Sequence, residues 1–237
     1  MDRMIVDDKN KLIIVIGAFG SGKSEYSINL ARVYNGVGAV SLVDLDVVNP
    51  YFRSRYIREQ FTQEGIDVIA PEFEFGHADV PMISPRIRGA ILDTTKTVIL
   101  DVGGDPDGCR ALARFIDDIN TREYSMHYVV NTKRPFTMTA DEIVVMRQNL
   151  EYISQLKITE LVCNTNLMEL TDVELITQGI EIVGEVATRE GLVFNHYLVL
   201  DDKENKYPPE INGVKKVSLS HFLTKPWEAK MRGNSFC

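Results

Sequence analysis

Eight residues, GAFGSGKS from Gly17 to Ser24, carry the spacing G-x-x-x-x-G-K-S, and that spacing suits phosphate. Glycines let the backbone curl until successive N–H groups face one anion, and a helix N-terminus behind them favours the same charge. Read this way, Gly17, Ala18, Phe19, Gly20, Ser21, Gly22, Lys23 and Ser24 all contact a nucleotide. Lys23 reaches the β and γ phosphates, and the Ser24 hydroxyl sits on Mg²⁺. The competing reading is a Gly-rich turn, which the apolar run before the motif and the helical pattern after it disfavour.

Phosphate-bound metal needs an acid at the end of a nearby apolar strand. TVILDVGGD supplies Asp101, with Gly103 and Gly104 leaving room for backbone near the γ-phosphate. A turn or N-cap role is the alternative for Asp101, while Asp105 and Asp107 read as turn and cap residues of a helix starting near Cys109. A second acidic stretch, LVDLDVVNPYFRSR from Leu42 to Arg55, ends another apolar run. There Asp44 supports the Mg²⁺ from its outer shell and Asp46 orients the attacking water. After the break at Pro50, Arg53 and with it Arg55 either neutralise charge on the phosphoryl group or pair with acids such as Glu59 on a solvated helix face. Alone, the stretch would also read as a salt-bridged surface loop.

The elements that must position these groups alternate along the chain. Strand-length apolar runs end at Ile16, Val43, Ala70, Leu100, Val130, Cys163 and Leu200. Between most of them lie helical patterns, such as Ile143, Met146, Leu150 and Ile153 at three- and four-residue intervals. TADE from Thr139 and TDVE from Thr171 match the capping box. Continuous apolar strands alternating with helices predict an α/β, three-layer fold, with a mostly parallel sheet of about seven strands covered by helices on both faces. Ligands of such sheets bind at the carboxyl ends of the strands, where the unusual residues sit.

The base is read from two asparagines. A guanine-reading N/T-K-x-D element would end in Asp, and neither NTKR at Asn131 nor NTNL at Asn164 does. Asn carries both donor and acceptor and suits adenine, so ATP is expected, with Asn164 at the base and Asn131 as the fallback; turn capping is the alternative for either.

Bulk properties narrow the class. With 237 residues, the chain fits one domain, 1–237, in which about 205–237 could form a C-terminal extension. A net charge of -8 argues against a nucleic-acid partner. The basic cluster GVKKVSLSHFLTKPWEAKMR is broken by Pro226 and shows no clear apolar face, which argues against a membrane partner. No secretory signal or spanning run is evident, and Cys109, Cys163 and Cys237 lack CxxC spacing, so a cytoplasmic protein with reduced thiols is expected.

On GAFGSGKS, LVDLDVVNP and VILDVGGD, within residues 12–110, the chain resembles the MinD/ParA/CobQ class of P-loop nucleotide-binding proteins, of the SIMIBI group. The resemblance implies a P-loop NTPase fold, hydrolysis assisted by Asp46 as the second Asp of the D-x-D pair, and Mg²⁺ served by Asp101. Members that dimerise around ATP carry a signature lysine where this chain has Ala18; a homodimer would therefore lack that lysine. The implied function is a Mg²⁺-dependent, ATP-hydrolysing regulatory or assembly factor that cycles between ATP and ADP on a protein client. Two alternatives stay open: phosphoryl transfer or ligation on a small substrate, and a metal-delivery GTPase, for which His77, His127, His196 and His221 are scattered along the sequence. The segment Pro71 to Arg88 is a candidate partner or substrate loop, or a plain connection.

Overall fold

The computed structural model describes residues 11–46, 55–70, 85–104, 106–200 and 205–222. Its strands are β1 (Leu12–Ile16), β2 (Val40–Leu45), β3 (Ile66–Ile69), β4 (Thr97–Val102), β5 (Tyr124–Val130), β6 (Glu160–Cys163), β7 (Val193–Leu200), β8 (Glu210–Ile211) and β9 (Val214–Leu219). The helices are α1 (Lys23–Asn35), α2 (Arg55–Gln63), α3 (Pro85–Leu92), α4 (Pro106–Ala113), α5 (Ile116–Ile119), α6 (Ala140–Ser154) and α7 (Val173–Glu190).

All nine strands form one sheet in the order β3-β2-β4-β1-β5-β6-β7-β9-β8. Every neighbouring pair is parallel except β8 with β9. Each expected apolar run forms a strand, and those of β1, β2 and β4 are buried on both faces along their whole length. Ile13, Val15, Leu42 and Ile99 pack with Ile28, Leu30 and Ala31 of α1 and Phe61 of α2. Leu12, Ile14, Leu100 and Val130 pack under the other layer with Ile91 of α3, Leu112 of α4, Ile143 of α6 and Val183 of α7. Burial on both sides leaves no polar face to alternate, hence the unbroken apolar sequence.

The sheet exceeds the expected seven strands at its C-terminal end. GVKKVSL, the first part of the basic cluster, runs as β9 beside β7, and β8 closes onto it through Asn212 and Gly213, at φ 52° and 83°. Positive φ at both central residues is what a tight hairpin with the right-handed sheet twist requires. Lys216 is buried there and donates to the Tyr207 carbonyl at 2.8 Å.

Helix starts were read with mixed success. Thr139 caps α6 in a reciprocal box with Glu142, as expected. At α7 the cap is Asp172, whose carboxylate accepts from Leu175 N at 2.8 Å, while Thr171 Oγ1 accepts from Leu167 N at 2.9 Å. The capping box expected from Thr171 and Glu174 is therefore absent: the cap falls one residue later, where the third helical position is Leu175 and has no side-chain acceptor to return the bond. Helix α4 likewise starts at Pro106, three residues before Cys109, since proline tolerates a first-turn position where an N–H is not needed. No helix among the described residues is long and apolar enough to cross a membrane.

Candidate nucleotide-binding site

The turn between β1 and α1 sits at the centre of the sheet's carboxyl edge, flanked by β4 and β5. Gly22 precedes α1 at φ 90°, and no side chain caps the helix, so its first amides remain available to an anion. A Cβ on Gly22 would fall 2.2 Å from Asn164 Nδ2, so both its dihedral and its neighbour demand glycine.

Lys23, Ser24, Asp44, Asp46 and Asp101, chosen from three separate stretches, are all buried and converge here. Asp44 on β2 is the register partner of Asp101 on β4, so the two carboxylates leave the same face of the sheet. Asp44 Oδ1 accepts from Asp46 N at 2.9 Å, which fixes the chain just past β2. Lys23 Nζ lies 3.5 Å from Asp46 Oδ2.

Asp101 Oδ1 accepts from Ser27 at 3.2 Å, whereas its Oδ2 is buried with no hydrogen-bond partner among the described residues. Burial raises the Asp101 pKa to about 6, an effect that nearby Lys23 opposes. An orphaned, buried carboxylate oxygen on the helix side of the strand is a fitting ligand for a hard divalent cation, which would supply the missing partner.

Gly104 has a packing role besides the one expected of it. A Cβ there would lie 2.5 Å from Gly17 O and 2.8 Å from Phe19 N. The space is filled by the Gly17–Ser24 loop itself, so Gly104 lets β4's exit pack under that loop. Asn164 also touches the loop directly: its Nδ2 donates to Ser21 O at 2.6 Å, leaving Oδ1 without a partner among the described residues. Asn131, the fallback, is a turn residue whose Oδ1 accepts from Lys133 N at 3.0 Å and Asn166 N at 3.3 Å.

Sequence reasoning missed Arg134, whose Nε donates to Gly20 O at 3.2 Å; nothing in the spacing links residues 114 positions apart. Arg53 and residues 71–84 of the candidate partner loop lie outside the described residues. Of that loop's described end, Arg86 pairs with Asp67 and Arg88 with Asp118. His127 and His196, distant in sequence, both approach Glu160, at 3.6 and 3.3 Å, because β5, β6 and β7 are neighbours.

A cavity of about 510 Å³ runs along this edge. Phe19, Lys23, Ser24, Asp46, Arg134 and Asn164 line it around the loop, and Met168, Ile176, Leu198, Tyr207 and Leu219 toward the ends of β7 and β9. Its size suits a nucleotide, charged at one end and apolar at the other.

No protein-family model matches the chain. Over 119 residues, 47% of the chain, it is 30% identical to tRNA dimethylallyltransferase 2 of Geotalea uraniireducens (strain Rf4), of which it covers 37%. Among solved structures it is similar to the cell division protein ftsY of Thermotoga maritima, at 16% identity and a TM-score of 0.55, covering 81% of this chain and 63% of that one. It is also similar to the signal recognition particle 54 kDa protein of Aeropyrum pernix K1, solved in complex with GDP, at 16% identity and a TM-score of 0.51, covering 79% and 41%. The chain thus spans less than two thirds of each. What these solved structures share with the chain is the fold, a mostly parallel α/β sheet flanked by helices as in P-loop nucleoside triphosphatases.

Proposed function

We propose that this chain is a Mg²⁺-dependent ATPase of the MinD/ParA/CobQ kind, in which bound ATP or ADP sets the grip on a protein client. The reading rests on one observation above all: Lys23, Asp46 and the orphaned Asp101 oxygen meet at the uncapped start of α1. It treats residues 1–237 as one nucleotide-binding unit working in the cytoplasm.

Each side chain then has a task. Loop amides from Gly17 to Ser24 hold phosphate oxygens, and Lys23 exchanges its contact with Asp46 for the β and γ phosphates. That exchange frees the Asp46 carboxylate to orient a water and accept its proton. Ser24 Oγ and Asp101 Oδ2 would hold Mg²⁺, with Asp44 behind them. Mg²⁺ when bound neutralises charge that develops on the phosphates. Arg53 is assigned to the same developing charge. Asn164 gives one Nδ2 hydrogen to the loop and keeps a second N–H and its Oδ1 for the base, the donor and acceptor pair that suits the edge of adenine.

A second reading is a group-transfer enzyme acting on a small substrate, favoured by the transferase named among the relatives. A GTPase is the third, favoured by the solved structure with GDP. Phosphate release from Mg²⁺-ATP and Mg²⁺-GTP separates them. The ATPase reading expects slow ATP turnover raised by a captured protein, and ATP binding at least about tenfold tighter than GTP, roughly 1.4 kcal/mol. Acceleration by a small acid or alcohol supports transfer; preference for GTP overturns the base assignment.

A further inference from the structure

Among the described residues, Lys23 and Arg134 are the two with permanent positive charge that line the cavity, against Glu25, Asp46 and Glu169. A nucleoside triphosphate brings more negative charge than one lysine offsets, so a second fixed cation at the loop has a clear electrostatic use. Its placement is built, since the turn that carries it is pinned. Arg134 N donates to Asn131 O at 3.1 Å, and the buried Thr137 hydroxyl donates to Asn131 O at 2.9 Å.

The guanidinium lies against Gly20. A Cβ on Gly20 would be 3.2 Å from Arg134 Nε and 3.4 Å from its Cζ, so a side chain at that position would press on the guanidinium. Nε donates to the Gly20 carbonyl, and the two terminal nitrogens have no partner among the described residues. The planar fork is thus anchored by one nitrogen at the loop's rim, with two more donors to spare. Such a fork matches phosphate oxygens in a bidentate way.

We propose that Arg134 is a second cationic ligand of the bound polyphosphate, meeting it from the rim of the loop whose interior Lys23 serves. This rests on the reading of Gly17 to Ser24 as the phosphate-binding loop. The group recognised is the phosphate chain, independent of the base.

Calorimetry with Mg²⁺-ATP and with inorganic tripolyphosphate tests it on the parent chain, Arg134→Gln, Arg134→Lys and Lys23→Ala. Glutamine keeps an N–H donor for the Gly20 carbonyl but has no charge. The expected result is binding of both probes weakened about tenfold or more in Arg134→Gln, as befits loss of a charge-assisted contact, and partly restored in Arg134→Lys, which returns the charge without the fork. Parent affinity in Arg134→Gln, with Lys23→Ala silent, overturns this inference alone. Lysine binding no better than glutamine also overturns it, because Arg134 then serves only to prop the loop. Parent affinity in Lys23→Ala overturns the loop reading and this inference with it.

Discussion

Lys23 Nζ stands 3.5 Å from Asp46 Oδ2, with both side chains 6% exposed. In the proposed reading the lysine serves phosphate and the acid serves water; they hold each other here, and a bound phosphate is expected to part them. If Asp46 acts on water and is no part of the phosphate cradle, Asp46→Ala should keep Mg²⁺-ATP affinity within severalfold of the parent. Turnover should fall about a hundredfold, since positioning and proton acceptance act in the transition state. Single-turnover hydrolysis beside equilibrium binding gives both numbers, and hydrolysis at the parent rate would make the DLD stretch structural.

Gly104→Ala is expected to impair binding more than stability. The added methyl would sit 2.5 Å from Gly17 O, so the phosphate-binding loop must shift while both cores remain intact. ATP affinity should drop at least about tenfold, with the melting temperature lowered by only a few degrees. Equal losses in both measurements would assign Gly104 to the core.

Asn164→Ala separates two roles of one side chain. Loss of the 2.6 Å bond to Ser21 O loosens the loop for every nucleotide. Loss of its donor and acceptor pair at the base edge costs ATP more than GTP. Both affinities should fall, and the preference for ATP over GTP should narrow; a common fall with an unchanged ratio would restrict Asn164 to holding the loop.

Acid should weaken the fold through His127. Burial lowers its pKa below 6.5, partly offset by Glu160, with His196 and Lys11 adding to the lowering. Its Nδ1 meets Tyr26 OH at 3.0 Å and its Nε2 meets Ser125 Oγ at 2.8 Å. Below pH 6.5 the unfolded chain takes up the proton more readily than the folded one, so this contribution to stability falls as pH drops from 6.5 through the lowered folded value. Melting curves from pH 7.5 to 5 should show a decline that His127→Gln reduces; an identical slope in the variant would place the sensitivity elsewhere.

Much of the fold was legible because parallel strands covered on both sides must be apolar throughout, and the runs ending at Ile16, Leu100 and Cys163 are. Strand β9 was missed because Lys215 and Lys216 disguise it, although Asn212-Gly213 beside it is a hairpin signal that could have been read. At the site, the spacing within GAFGSGKS and DLD named residues that the sheet does bring together. The contacts of Asn164 with Ser21 and of Arg134 with Gly20 had no such signal, because they depend on which strands are neighbours. The packing of Gly104 against Gly17 and Phe19 had no signal for a related reason: sequence shows that a glycine leaves room, but not which backbone takes it.

The central claim is that Gly17 to Ser24 holds the phosphates of a nucleotide. Calorimetric titration of the parent and Lys23→Ala with Mg²⁺-ATP, each checked for native circular dichroism, tests it most directly. The account predicts measurable binding by the parent and none by a folded Lys23→Ala. Unchanged affinity in that variant would contradict it.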